Sequence, residues 1–294
     1  MQKVTTLVST SFVAKQIQSK TKNFCLLDVS WHLPIFKRDP RKEYEQAHLQ
    51  GALFFDLPKC HQAAGSKLAF TLPSPDAFAE HVGKLGVGND DHVVVYENNA
   101  KFGVFSAARA WWMFRIFGHA RVSIMEGGLP LWLKEGRETT EVLPEPTPTK
   151  FRASYLPDLY KSFADVEANL ETEAFQLMDA RSEGRFKGEQ PEPRPGIEPG
   201  HIPNSICLPF TKLTHEEDGV VKLKPPDQLR DGLTAAGVDL TQPVAASCGS
   251  GVTACVLALA AYLTGKEDVA VFDGAWEEFY VQMKDTKPEH ILKG

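Results

Sequence analysis

The sequence lacks the marks of a membrane, nucleic-acid or disulfide-scaffold protein. No apolar run approaches the roughly 18–20 residues that span a bilayer. Lys and Arg nowhere cluster into a basic stripe, and with 32 of them against 38 Asp and Glu the net charge is −6. Non-specific nucleic-acid binding draws on clustered basic residues, so neither a nucleic acid nor a membrane is an expected partner. Cysteine is sparse and odd in number: Cys25, Cys60, Cys207, Cys248 and Cys255, with no Cys-x-x-Cys spacing. That excludes a secreted disulfide framework and a cysteine zinc site, and no cofactor or metal is expected. A reducing compartment fits. The first 27 residues carry no acid and the first 37 no arginine. They lack the continuous apolar core of a secretory signal, and "STSFVAKQI" reads as a capped helix start with Val13 and Ile17 on one face. The cytoplasm is the expected location, with mitochondria the second choice.

What is present is a chain of 294 residues, 43% hydrophobic and 24% charged, enough for two cores. It repeats itself. "FCLLDVSWHLP" around Asp28 resembles "FQLMDARSEGRF" around Asp179. "AHLQGALFFDL" around His48 resembles "GHIPNSICLPF" around His201. "VSIMEGGLPLWL" around Glu126 resembles "VAVFDGAWEEFY" around Asp273. Order is kept and the spacing stays at 147 to 153 residues. A duplicated domain explains this; a solenoid would repeat every 20–50 residues or so. Residues 1–139 form the expected N-terminal domain and residues 158–294 the C-terminal one. Between them, 140–157 holds Pro144, Pro146, Pro148 and Pro157 and reads as an extended surface linker.

Within each half, short apolar runs alternate with helix-period segments. "HVVVYE", "FQLMDA", "SICLPF", "PVAASC" and "VAVFDG" read as strands. "VFSAARAWWMFRIFG", "PPDQLRDGLTAAG" and "VTACVLALAAYLTG" read as helices, each running up to a glycine. The expected fold class is α/β, two tandem domains, each a mostly parallel sheet with helices on both faces. Such sheets bind ligands at the carboxyl ends of their strands.

Cys248 ends one of those strands, in "AASCGSGVTAC". Gly249 and Gly251 let the backbone curl, which turns N–H groups inward to make an anion nest. A helix starting at Val252 adds its unpaired N–H groups and positive dipole end. Each of these favours a thiolate, so Cys248 is the candidate nucleophile. Ser250 and Thr253 are candidate hydroxyl donors beside it. The same cradle would hold the outer sulfur of a persulfide. A sulfur that meets a substrate also has to be reachable from solvent. Cys255, by contrast, falls in the apolar helix and reads as core. In the first half, Glu97 aligns with Cys248. Glutamate cannot carry sulfur, so one half does the chemistry and the other shapes and closes the site.

Tandem copies with a cysteine loop only in the second half resemble the rhodanese-type sulfurtransferases, over essentially the whole chain. "CGSGVTA", "GRFKGEQPEPRPGIEPGHIP", "LLDVSWHLP" and "AARAWWMFRIFGH" carry the resemblance. It implies two rhodanese-like domains, a catalytic Cys248 assisted by Ser250, and an active-site loop of Gly249, Gly251, Val252 and Thr253. It also implies substrate binding by Arg185 and Arg194. Thiosulfate-using relatives carry Cys-Arg-Lys-Gly-Val-Thr, where this chain has neutral Gly249 and Ser250. The neutral loop resembles the branch that uses 3-mercaptopyruvate, which needs cations for one carboxylate and one ketone only. Forked guanidinium groups at 185 and 194 suit those oxygens. The implied reaction passes sulfur to a thiol acceptor such as thioredoxin or a small thiol. Thiosulfate transfer is the second reading and a non-catalytic persulfide-binding or redox-sensing protein the third. A Cys-x-x-x-x-x-Arg phosphatase is disfavoured because position 254 is Ala.

One departure from the family stands out. Some members are credited with an Asp and a His of the first domain that act with the loop serine. Here Pro58 and Phe70 occupy those positions, and Asp56 and His61 are offset. No relay is assigned, and Ser250 is left with hydrogen bonding. His201 matches His48 of the half without cysteine, so a shared turn-pinning role is expected for both. Asp179 and Arg181 read as an ion pair inside their domain.

Overall fold

Val93, Val94 and Val95 are β-branched and fully buried, and they form the middle of a strand with sheet neighbours on both sides. The computed structural model containing it describes residues 4–60, 68 and 70–294. The chain divides into two compact units. One is built on Leu72–Leu156 and Glu216–Lys222 with the N-terminal segment, the other on Pro157–His215 and Leu223–Gly294.

The first unit holds β1 (Leu7–Val8), β2 (Phe24–Asp28), β3 (Leu53–Phe54), β4 (His92–Tyr96) and β5 (Val122–Met125) in the order β1-β5-β4-β2-β3, all parallel. Its helices are α1 (Thr10–Gln18), α2 (Pro40–Gln46), α3 (Pro75–Lys84), α4 (Ser106–Ile116) and α5 (Gly128–Lys134). Ser9 caps α1 by accepting from the Phe12 N–H, as the sequence pattern requires. Successive side chains of β4 point to opposite faces. Val94 and Tyr96 join Val13 of α1 and Leu129 and Trp132 of α5 in one core cluster. The alternate residues Val93 and Val95 are turned to the other face.

The second unit repeats the plan. Its sheet comprises β6 (Tyr160–Lys161), β7 (Gln176–Asp179), β8 (Ser205–Cys207), β11 (Val244–Ser247) and β12 (Ala270–Phe272), in the order β6-β12-β11-β7-β8, again parallel. Position for position this is the first sheet. β9 (Thr214–Glu217) and β10 (Val220–Leu223) form a separate two-stranded ribbon, of which Glu216–Lys222 counts with the first unit. The helices are α6 (Phe163–Thr172), α7 (Glu183–Phe186), α8 (Pro226–Ala235), α9 (Ala254–Leu263) and α10 (Ala275–Met283). A reciprocal Ser162–Asp165 capping box opens α6. α9 is apolar and buried almost all round, which makes it a core helix rather than an amphipathic one.

Residues 144–156 carry neither helix nor strand and are mostly exposed, but Phe151 is buried against Phe78 and Phe114. α9 begins at Ala254 rather than Val252. Gly251 has φ +79, and the Val252 and Thr253 carbonyls accept from the Cys255 and Val256 N–H groups. The loop thus makes a full turn before the helix settles.

Candidate functional site

The carboxyl end of β11 runs directly into Cys248, and the loop turns back on its sulfur. The Ser250 N–H donates to Cys248 Sγ at 3.5 Å. From the other side, the Trp276 N–H donates to the Cys248 carbonyl at 2.9 Å and the Glu277 N–H to the Gly249 carbonyl at 3.3 Å. The loop is therefore clamped against the start of α10. Ser250 meets the sulfur through its main chain, where the sequence suggested its hydroxyl. Val252 is buried beneath the loop, and Thr253 is half-buried at the start of α9.

Cys248 is 2% exposed. The expectation of an open thiol is corrected here: the same curled main chain that turns the Ser250 N–H to the sulfur leaves it almost no exposure. The two glycines serve different ends. Gly251 supplies the positive φ of the turn. Gly249 supplies room, because a Cβ there would lie 2.7 Å from Arg185 Nη2 and 3.8 Å from Arg194 Nη1. Both guanidinium groups thus converge on the residue next to the cysteine.

Each arginine is held by an acid that the sequence reading did not single out. Glu192 is almost fully buried and bridges two arginines. Its Oε1 accepts from Arg181 Nη1 at 2.9 Å and Arg185 Nε at 3.1 Å, and its Oε2 pairs with Arg185 Nη2. Arg181 also donates to both oxygens of Asp179 and to the Gly200 carbonyl, with its guanidinium 4.7 Å from the Trp276 ring centre. Burial works against its charge, but Asp179 and Glu192 outweigh that and raise its pKa. Arg194 Nε lies 3.0 Å from Glu277 Oε2, although the angle is not that of a hydrogen bond and this oxygen has no other partner. Burial raises the Glu277 pKa and Glu192 adds to the rise, against the pull of Arg194. In the sequence, Glu192 and Glu277 are two acids among 38. Only folding brings them to the arginines.

His201 has the turn-pinning role. Its Nδ1 donates to the Phe186 carbonyl at 2.9 Å, its ring stacks on Phe186 at 4.0 Å, and its main chain pairs with Leu292. This fixes the short α7, which carries Arg185. His48 repeats the arrangement: Nδ1 donates to the Tyr44 carbonyl at 2.7 Å, the rings stack at 4.2 Å, and the main chain pairs with Thr140. Asp56 pairs with Lys59 at 2.8 Å, and His61 lies outside the described residues.

The first unit shows what this loop position does without a cysteine. Glu97 follows β4 as Cys248 follows β11. Its fully buried carboxylate accepts from the N–H groups of Phe105 (2.6 Å), Ser106 (3.2 Å) and Ala107 (3.0 Å) and from Ser106 Oγ (2.8 Å). Those donors open α4. Burial raises its pKa, and the hydrogen bonds oppose the rise. The cradle at the head of this helix is an anion site filled by the protein's own side chain.

The rhodanese-like domain family matches this chain twice, over residues 11–135 and 162–282. The chain belongs to the rhodanese-like family. Human 3-mercaptopyruvate sulfurtransferase is 44% identical over 97% of this chain and 94% of its own length. Bovine thiosulfate sulfurtransferase is 46% identical over 93% of this chain and 91% of its own. The Escherichia coli 3-mercaptopyruvate sulfotransferase SseA superposes with a TM-score of 0.81 at 34% identity, covering 93% of this chain and 99% of that one. The two tandem rhodanese-like domains and their sheets are thus as the sequence implied. Among the described residues no helix is long and apolar enough to cross a membrane, and no His/Cys/Asp/Glu cluster could hold a metal ion.

Proposed function

We propose that this rhodanese-like protein moves sulfur from 3-mercaptopyruvate to a thiol acceptor through a persulfide on Cys248, with residues 158–294 carrying the chemistry. The observation that carries the reading is the convergence of Arg185 and Arg194 on Gly249, the residue next to Cys248, with no cation in the Cys248 loop itself. Overall identity does not choose the donor, since mercaptopyruvate and thiosulfate enzymes are about equally similar. Charge does. Two guanidinium groups outside the loop match a carboxylate and a ketone oxygen, and a neutral loop gives little to a compact dianion.

In this mechanism Arg185 and Arg194 take the donor's carboxylate and ketone oxygens. The Cys248 thiolate attacks the donor sulfur, and an S–S bond forms as the C–S bond breaks. The bonding pair passes to carbon and into the enolate of pyruvate, whose oxygen a guanidinium stabilises. The proton lost from the outer sulfur ends on that carbon, giving pyruvate and a Cys248 persulfide. Ser250 N–H and the head of α9 stabilise the sulfur anion. An acceptor thiolate, from thioredoxin or a small thiol, then attacks the outer sulfur and frees Cys248. Gly249, Gly251, Val252 and Thr253 shape the loop. A reducing compartment, the cytoplasm first and mitochondria second, suits a thiol of this kind.

The test compares kcat/KM for mercaptopyruvate and thiosulfate with one acceptor. Mercaptopyruvate is expected to be the better donor. A preference for thiosulfate would overturn the donor assignment.

A further inference from the structure

Glu277 stands where the donor reading makes no use of an acid. It opens the first turn of α10, its N–H is bonded to the Gly249 carbonyl, and its side chain is 14% exposed. Its Oε2 lies against Arg194 and accepts no hydrogen bond. The neighbourhood holds three guanidinium groups, of Arg181, Arg185 and Arg194, and three carboxylates, of Asp179, Glu192 and Glu277. Asp179 and Glu192 are locked by several hydrogen bonds to Arg181 and Arg185. Glu277 is the acid held by a single ion pair, to an arginine about a quarter exposed. It is thus the charge that sets what Arg194 has to offer an incoming anion.

We propose that Glu277 is a specificity-determining residue, which neutralises Arg194 enough to admit a monocarboxylate donor while rejecting a compact dianion. The inference rests on the donor reading above. Every charge on the guest meets the Glu277 charge, so a dianion is penalised twice where a monoanion is penalised once. At about 6 Å and an effective dielectric near 20, one unit charge changes the binding of a singly charged guest about a hundredfold. Screening at a partly open site reduces that, and about a tenfold difference between donors remains.

The test uses Glu277→Gln, which keeps the shape and removes the charge, and Glu277→Asp, which keeps the charge. For Glu277→Gln the kcat/KM ratio of mercaptopyruvate to thiosulfate should fall about tenfold, mainly through a lower KM for thiosulfate. Glu277→Asp should stay near the wild-type ratio. Calorimetric binding of two unreactive anions, sulfate and pyruvate, should show the same shift towards the dianion in Glu277→Gln alone. Equal changes for both donors and both anions would mean that Glu277 only holds the loop in place, and would overturn the proposal. Failure of the wild type to turn over mercaptopyruvate would sink the donor reading instead. The sulfate-to-pyruvate ratio would still decide whether Glu277 filters charge.

Discussion

At the same place in the fold, after the central strand and before the buried helix, one half of the molecule puts Glu97 and the other Cys248. In the first half the carboxylate reaches the donors at the head of α4 and fills the cradle. In the second half a shorter side chain ends in sulfur, and the Ser250 N–H meets it. The difference teaches that the cradle belongs to the fold and the reactivity to one residue. A built-in anion makes a closed, structural loop; a sulfur in its place makes one that can gain and lose an atom. The flanking parts follow suit. His48 and His201 pin equivalent turns; in the first half Arg38 reaches the Asn98 carbonyl of the loop, and in the second Arg185 reaches Gly249 beside the cysteine.

The largest expected effect separates the two loops by function. Arg185→Gly and Arg194→Gly should each lower kcat/KM for mercaptopyruvate by about 10²–10³-fold, as expected for losing a forked charge-assisted contact. Steady-state kinetics would show it, and wild-type rates in both would misplace the donor site. Next, Glu97→Ala leaves the Phe105, Ser106 and Ala107 N–H groups without their acceptor. It should cost the first domain about 4 kcal/mol in denaturant unfolding. A loss below about 1 kcal/mol would mean that the plug is ornamental.

A third contrast lies in the paired aspartates. Asp179 faces Arg181, whereas Asp28 has Ser30 and burial pushes its pKa up to about 6. A carboxyl whose folded pKa is raised favours the folded state below its unfolded value, and that contribution is lost as pH rises through 6. Wild type should therefore lose about 2 kcal/mol relative to Asp28→Asn between pH 4 and pH 7. A pH-independent difference between the two would refute the shift. The smallest effect concerns the corner after the last strand of each sheet. Gly128 has φ +54 with its neighbour's N–H on the Glu97 carbonyl, and Ala275 has φ +55 with its neighbour's N–H on the Cys248 carbonyl. Alanine is strained there, so Ala275→Gly should raise stability by about 0.5–1 kcal/mol in thermal unfolding. A loss would show that the corner carries no strain.

The fold was legible because its signals are local. Valine runs mark β4, an unbroken apolar stretch of helix formers ending at a glycine marks α9, and the duplicated segments give the plan twice. Gly251 could be read from its neighbours, since a turn there demands positive φ. The role of Gly249 could not, because what crowds it is Arg185, more than 60 residues earlier in the chain. Glu192 and Glu277 were invisible for the same reason. A carboxylate acquires a partner only when the chain returns to it, and its sequence neighbours carry no trace of that. The burial of Cys248 was hidden too: the nest was legible as a set of donors, and its closeness around the sulfur was not.

That closeness makes the decisive measurement a direct one. Burial pushes the Cys25 thiol up to about 12, Cys207 to about 11 and Cys60 higher still, so those three are expected to stay inert. Intact-protein and peptide mass spectrometry after brief exposure to mercaptopyruvate should find one added sulfur atom, on Cys248, absent in Cys248→Ser and discharged by a thiol. Pyruvate formation with no such adduct, or the sulfur on any other cysteine, would contradict persulfide transfer at this loop.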